Sequence, residues 1–235
     1  MNKVWVIAKR ELKSYFVSPV AYVVIGLFLF ISGYFFYIIL ASSKLAEARG
    51  IIMNMSFTFM LISPLITMRL LAEEKKLGTI EFLFTSPIKV AEIVTGKYLA
   101  AVILFLIMVV ITFQYPLYLI IFGKPDLGPI ITSMLGFFLL GATYLAVGVF
   151  ASSLSENQLI SAIVGMIILI FLWVVGWAGD TIGGGVGNFV SSLSLMNNLE
   201  NLGKGVIDAG NVFYYLAMIF FFLFITVKRL EWKRW

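Results

Sequence analysis

The sequence predicts an all-α, polytopic membrane protein with six transmembrane helices and an N-terminal interfacial helix. Three observations carry that expectation. Apolar residues make up 61% of the 235 positions and charged residues only 12%, against about 45–50% and about 25% in soluble domains. Mean hydropathy is +1.04. The excess apolar residues lie in long runs separated by short polar stretches, the pattern of a chain that crosses a bilayer repeatedly.

Residues 2–16 form an amphipathic segment. Trp5, Ala8, Leu12 and Tyr15 recur at helical spacing on one side, and Lys9, Arg10 and Lys13 on another. Such a helix lies in the membrane interface, apolar face to the acyl chains and cations to anionic head groups; the plainer reading is a basic flank to the first span. That span is expected at 19–41. Its 23 residues reach about 35 Å, enough for a ~30 Å hydrocarbon core with some tilt. The run exceeds the about 7–15 residues of a signal-peptide apolar region, so the span is expected to be retained. Further spans are expected at 51–72, 98–122, 130–154, 158–178 and 211–229, all in one transmembrane domain covering 1–235.

Charge asymmetry orients the chain. With the N-terminus inside, thirteen basic residues lie on the cytoplasmic side, most of them in the N-terminal segment, around 69–97 and after 227. Lys44, Arg49, Lys124 and Lys204 lie outside. Both termini are therefore expected in the cytoplasm, with the chain in the inner (plasma) membrane. Trp173 and Trp177 suit the outer interface, and Trp232 and Trp235 the inner one. The net charge of +5 is then a property of span flanks, and no nucleic-acid partner is implied.

The cytoplasmic segment 73–97 is the most informative. The second helix should run to about Leu77, with Gly78 as its C′ residue, where positive φ carries little strain. Thr79 can cap a new short helix, and Glu81 in its first turn complements the dipole. Ser86-Pro87 supplies the N-cap and first residue of the next helix, which should continue through Lys97 into the third span. A short helix over 79–85 exposes Ile80, Phe82, Leu83 and Phe84 beside one carboxylate. It cannot stabilise itself in water, so it either lies on lipid or docks into a groove on another protein.

The charged and polar inventory excludes several functions. There are no cysteines and no histidines, hence no disulfide, no thiol chemistry and no Cys/His zinc site. A phosphate-binding Gly-x-x-x-x-Gly-Lys-[Ser/Thr] loop is absent: Gly96-Lys97 has Ala91 where the first glycine belongs, and Gly203-Lys204 has Asn198. The spans hold almost no ionisable group apart from Arg69, near the cytoplasmic boundary. Arg69 either acts at a cytoplasmic gate or snorkels to the interface beside Glu73, one turn on. No catalytic or metal-binding constellation is expected. Pro64 and Pro116 should kink the second and third spans. The small pairs Ala142/Ala146, Gly148/Ser152 and Ser161/Gly165 favour close approach of the fourth and fifth spans. The glycine-rich stretch 179–187 opens an external segment, 179–210, in which Phe189, Leu193 and Met196, then Leu199, Leu202 and Val206, mark helical faces. It either rests on the outer interface or re-enters the membrane.

Several stretches together resemble one family. Ser63-Pro64-Leu65-Ile66-Thr67-Met68-Arg69-Leu70-Leu71-Ala72-Glu73-Glu74-Lys75, Gly78-Thr79-Ile80-Glu81, Ser86-Pro87 and Gly96-Lys97 are similar to ABC-2 type permeases, the membrane subunits of ATP-binding-cassette transporters. Lys9-Arg10-Glu11-Leu12 and the ending Gly205-Val206-Ile207-Asp208, a final span, then Lys228-Arg229-Leu230-Glu231 extend the resemblance over nearly the whole chain. Its closest branch resembles the small gliding-motility and copper-enzyme-maturation permeases. The resemblance implies a type V-like permease architecture. Residues 2–16 become a connecting helix, residues 79–85 (Thr79, Ile80, Glu81, Phe82, Leu83, Phe84) a coupling helix docked on an ATPase, and 187–206 an outer re-entrant element. It further implies a second permease copy or paralogue, and ATP with Mg bound in partner ATPase subunits, this chain holding no cofactor. An exporter is the leading expectation; a mechanotransmitting or anchoring subunit that moves no solute is the alternative.

The orientation is directly testable, because the chain has no cysteine of its own. Single cysteines placed at Ala48 and Gly184 should react with an impermeant maleimide in intact cells. Labelling only after permeabilisation would reverse the topology.

Overall fold

The computed structural model describes residues 3–43, 48–79, 81, 88–123, 125–205 and 208–233. All regular structure among them is helical, in eleven elements: α1 (Lys3–Val17), α2 (Pro19–Ser43), α3 (Ala48–Thr67), α4 (Arg69–Lys76), α5 (Val90–Thr112), α6 (Gln114–Phe122), α7 (Leu127–Leu154), α8 (Gln158–Ile182), α9 (Gly184–Ser192), α10 (Leu195–Leu202) and α11 (Ala209–Lys233). Six spans are long and apolar enough to cross a bilayer: Pro19–Ser42, Arg49–Lys76, Val90–Phe122, Leu127–Leu154, Gln158–Gly179 and Ala209–Trp232. The second and third are each built from two helices, α3–α4 and α5–α6.

The fourth span, α7, is the axis. In its most apolar stretch 83% of the residues are buried, against 17% in the first span and 22% in the sixth. It packs against α3, α4, α5, α8, α10 and α11. In lipid such packing rests on close contact rather than on expulsion of water, so small residues decide where helices meet. A Cβ at Gly141 would stand 2.2 Å from the Phe105 ring, and one at Gly148 2.1 Å from Thr67 Oγ1. The space at Gly141 admits an aromatic core in which Phe59 stacks on Phe105 at 4.0 Å between centroids and Phe137 meets Phe105 edge-on at 5.3 Å.

These contacts correct the expected pairing of small residues in part. Gly148 faces both the second span, where a Cβ would meet Thr67, and the fifth, its Cα lying 4.0 Å from a Cβ at Gly165; Ser152 faces the second, its hydroxyl donating to Met68 O. Ala142 turns to α5, where its carbonyl accepts from the Tyr98 hydroxyl. The fourth and fifth spans do meet at Gly165, where a Cβ would lie 3.3 Å from Ala151 Cβ. Periodicity finds small faces but does not say which neighbour fills them.

Pro64 does not itself interrupt the second span. It removes the donor that Met60 O would take, and the Ser63 hydroxyl fills that place at 3.3 Å. The helix instead breaks at Met68. In the third span the break is at Phe113, three residues before Pro116. There Tyr115 donates to Leu29 O at 3.2 Å and stacks on Phe36, joining α6 to α2.

At the end of the bundle remote from α1, Gly183 and Gly184 both adopt φ of +65° and reverse the chain. α9 runs back along α8 so closely that a Cβ at Gly179 would stand 2.4 Å from Ser191 N. A Cβ at Gly176 would meet Ser194 Oγ at 2.5 Å, which sets the tip of the hairpin beside a residue of the fifth span itself. α10 then climbs along α7, with Leu199 and Leu202 over Gly136 and Gly205 against Pro129. Tyr215 donates to Leu195 O at 2.7 Å, and Tyr214 to Leu193 O, so α11 holds the tip. Arg49 of α3 reaches Glu200 of α10 at 3.5 Å.

Filling the axis should be costly. Gly148→Ala should lower the thermal stability of the detergent-solubilised protein by about 1–3 kcal/mol, the range for overpacking. Gly26→Ala, with nothing within 4 Å of the added carbon, serves as the control and should not. Equal melting temperatures for the two variants would remove the close approach of α7 to Thr67.

Candidate functional site

Three helices converge where the second span leaves the bundle and the third returns to it. α1 crosses α5 at Gly96, where a Cβ would lie 2.8 Å from Ile7 Cβ and 2.9 Å from Val4 O. The next residue, Lys97, is thereby covered, and its side chain is 1% exposed. A buried ammonium requires partners. Lys97 Nζ finds them on two other helices, Glu11 Oε1 of α1 at 3.0 Å and Glu74 Oε1 of α4 at 2.8 Å. Arg10 closes the cluster, with Nη2 2.9 Å from Glu11 and 3.0 Å from Glu74. Two cations and two carboxylates balance. Burial works against the Glu11 charge, but Lys97 and Arg10 outweigh it and hold its carboxyl below the usual range. The Arg10 guanidinium, bonded to Glu11, is held above its ordinary value. The second oxygen of Glu74 is buried without a donor.

One turn deeper lies the break at Met68. Breaking a helix frees carbonyls before it and amides after it, and a buried segment has to satisfy them from elsewhere. α1 supplies Tyr15, whose hydroxyl donates to Ile66 O at 2.7 Å. α7 supplies Ser152, whose hydroxyl oxygen accepts from Leu71 N at 3.0 Å and Ala72 N at 3.1 Å while its proton goes to Met68 O at 2.9 Å. The end of α7 is held in turn: Ser153 O accepts from Lys75 Nζ and, at 3.3 Å, from Arg229 Nε. Cations thus meet the free carbonyl end of a helix.

Arg69 and Glu73 do not pair with each other. Arg69 sits over the Tyr15 ring at 4.4 Å and donates to Ser14 Oγ at 3.4 Å, while Glu73 is exposed. On α1 the buried residues are Ile7, Ala8 and Tyr15; Trp5 is 52% exposed. Ala8, Leu12 and Tyr15 of the expected face thus pack inward against α5 and α2, and Trp5 alone of the four stands out from it. Lys9, Arg10 and Lys13 remain at the surface.

α4 ends at Lys76, and Gly78 follows with φ of +69°, as its position after the helix predicts. Thr79 Oγ1 donates back to Glu74 O at 3.3 Å, and both Thr79 and Glu81 are exposed. The remaining coupling-loop expectations, at Ile80, Phe82, Leu83, Phe84 and the Ser86-Pro87 start, lie outside the described residues. The returning helix forms from Val90, later than expected. Lys89 is extended, and the Glu92 carboxylate accepts from its amide at 2.8 Å, fixing the start there.

Sequence reasoning passed over Lys97 as a site residue. A signal was available: Lys97 adjoins a long apolar run with no carboxylate three or four residues away on its own helix, so its counter-charge had to come from another element. Among the described residues no group of three or more acidic side chains is placed to hold a metal ion. The arrangement is mechanical: it fastens α1, α4 and α5 together on either side of residues 77–89.

Residues 42–228 match the model of a family described as ABC-2 family transporter protein. No curated protein matches the chain.

Removing Lys97 should leave the Glu11 and Glu74 carboxylates sharing only the half-exposed Arg10 guanidinium, one cation for two charges. Lys97→Met should destabilise the protein by about 3–5 kcal/mol, and adding Glu74→Gln should recover part of the loss. The Glu11 contribution is present above the ordinary carboxylate range and is lost as pH falls through its depressed value, so wild type should lose stability on acidification more steeply than Glu11→Gln. Thermal unfolding of wild type, Lys97→Met, Glu74→Gln, their double variant and Glu11→Gln between neutral and acid pH checks both; additive effects of Lys97→Met and Glu74→Gln would dismiss the coupling.

Proposed function

Because the chain belongs to the ABC-2 transporter family, and so is a membrane permease component of an ABC transporter, we propose that it serves an exporter driven by a separate cytoplasmic ATPase. The α1 end of the bundle is the cytoplasmic end in this reading, and residues 79–85 dock on the ATPase. A second permease copy and a pair of ATPase subunits complete the assembly, as the family resemblance implies. The sequence has no phosphate-binding loop of its own, and the apolar stretches 19–41, 51–72, 98–122, 130–154, 158–178 and 211–229 hold none of the acidic and histidine groups that a proton-driven carrier uses.

The observation that carries the proposal is the fastening of both ends of the 77–89 segment. Glu74 on the way out and Lys97 on the way back meet on Glu11 and Arg10 of α1. A push on the loop by the ATPase is then delivered to α1, α4 and the start of α5 as one body. The broken second span at Met68 is the point at which that body can move relative to α3.

The test is docking without loss of fold. Glu81→Lys should reduce co-purification of the cognate ATPase by roughly tenfold, the effect of about 1.4 kcal/mol, and Phe82→Asp should do the same. Membrane insertion and melting temperature should stay unchanged, unlike Lys97→Met. Full ATPase recovery with both variants would overturn the coupling role of this segment.

A further inference from the structure

An open cleft of about 290 Å³ lies between α1 and α4, lined by Arg10, Glu11, Ser14, Arg69, Glu73, Glu74 and Lys97 with Leu70 and Leu77. Its charges divide into two sets. Arg10, Lys97, Glu11 and Glu74 neutralise one another within the cluster around the buried Lys97. Arg69 and Glu73 are left, one positive and one negative, four residues apart on the same helix face. At that spacing their Cβ atoms are about 6 Å apart, yet neither takes part in an ion pair among the described residues. The guanidinium is drawn instead to the Tyr15 and Ser14 side chains, which leaves part of its five N–H donors open. Arg before Glu is also the weaker order for pairing along a helix.

The cleft lies at head-group depth. The second span, Arg49–Lys76, has 28 residues and is about 42 Å long, so about eight residues extend beyond a ~30 Å hydrocarbon core. Most of the charge in this span lies in α4, at the end bearing the basic α1, so most of that excess falls there. Leu70 and Leu77 supply the apolar part of the cleft lining.

We infer that this cleft binds a phosphate ester carrying a primary ammonium, of the kind found in the head group of an ethanolamine phospholipid. The phosphate meets the free N–H groups of Arg69 and the Ser14 hydroxyl. The ammonium donates to Glu73. A planar guanidinium suits a phosphate oxygen pair, and the two unpaired charges of α4 match the opposed charges of the ligand in order and separation. The inference requires the membrane placement of α1 and α4 but not the ATPase, so its failure would leave the permease reading intact.

Native mass spectrometry of the delipidated full-length chain tests it, with phosphatidylethanolamine, phosphatidylcholine and phosphatidylglycerol of identical acyl chains. Wild type should retain phosphatidylethanolamine on the order of tenfold above phosphatidylcholine, whose methylated ammonium cannot donate. Glu73→Gln, at an exposed position that leaves folding untouched, should bring the two lipids level. Arg69→Ala should lower all three, and Arg69→Lys should restore part of the binding. Displacement of the lipid by glycerophosphoethanolamine would assign the site to a soluble ester, and failure to displace would assign it to the lipid. Equal retention of the three lipids by wild type, or an ethanolamine preference that survives Glu73→Gln, would overturn the inference.

Discussion

A lysine ammonium withdrawn from water organises this end of the protein. The effective penalty for burying an ion is several kcal/mol, and Lys97 is covered because α1 crosses α5 at Gly96 without a Cβ to hold it off. Once covered, Lys97 needs carboxylates, and its own helix provides none within reach. Glu11 and Glu74 come from α1 and α4, so the requirement of one side chain dictates where two other helices lie. Arg10 completes the neutralisation and keeps both carboxylates from repelling each other. The fit is strict: adjacent residues on α1, Arg10 and Glu11, both have to face the same point, and that fixes the rotation of the helix. Ile7, Ala8 and Tyr15 turn inward as a consequence, and Trp5 turns out.

The broken second span obeys a related constraint on the backbone. An uninterrupted helix satisfies its own amides and carbonyls; one that breaks inside a membrane protein has to borrow partners. Ser63 repairs the loss at Pro64 from within the helix. Tyr15 and Ser152 repair the break at Met68 from α1 and α7. The partners of the break thus come from the same α1 that carries Arg10 and Glu11, together with the axial helix. The charged cluster and the break are two halves of one fastening, one made by side-chain charge and the other by hydrogen bonds to main chain.

The architecture was legible where a single physical rule decides. Runs of apolar residues mark the six spans, and Gly78 has positive φ where a helix ends. The second helix ends at Lys76, beside the expected Leu77, while the returning helix starts at Val90 rather than at Pro87; both run past the apolar spans, because a charged residue stops a hydropathy run without stopping a helix. What sequence did not disclose are pairings between elements. Gly148 and Ser152 have a small face that suits any neighbour; only the position of α3 shows that Thr67 and Met68 fill it. Arg69 and Glu73 stand at pairing distance, yet Tyr15, fifty-four residues upstream of Arg69, takes the guanidinium. Lys97 resembled a failed phosphate loop in one dimension and became the centre of a cluster in three.

The axial helix joins this fastening to the opposite end of the molecule. Ser152 of α7 holds the break in the second span, and Gly136, sixteen positions earlier on the same helix, receives Leu199 and Leu202 of the α9–α10 hairpin. The distance between the two points along α7 is about 24 Å. α7 shows no break over that length, so it is a strut rather than a joint, and the interruptions at Met68 and Phe113 lie on its neighbours. A displacement of α1 and α4 therefore reaches the hairpin by one of two routes. It can tilt the strut through Ser152, or it can bend the second span at Met68 and pull on Glu200 through Arg49, at the far end of α3. The two routes load the same hairpin from different sides, α7 through apolar contact and α3 through an exposed ion pair. Exposed pairs are weak, about 0–1 kcal/mol, so the packed route through Leu199 and Leu202 bears the larger share of any force that crosses the membrane.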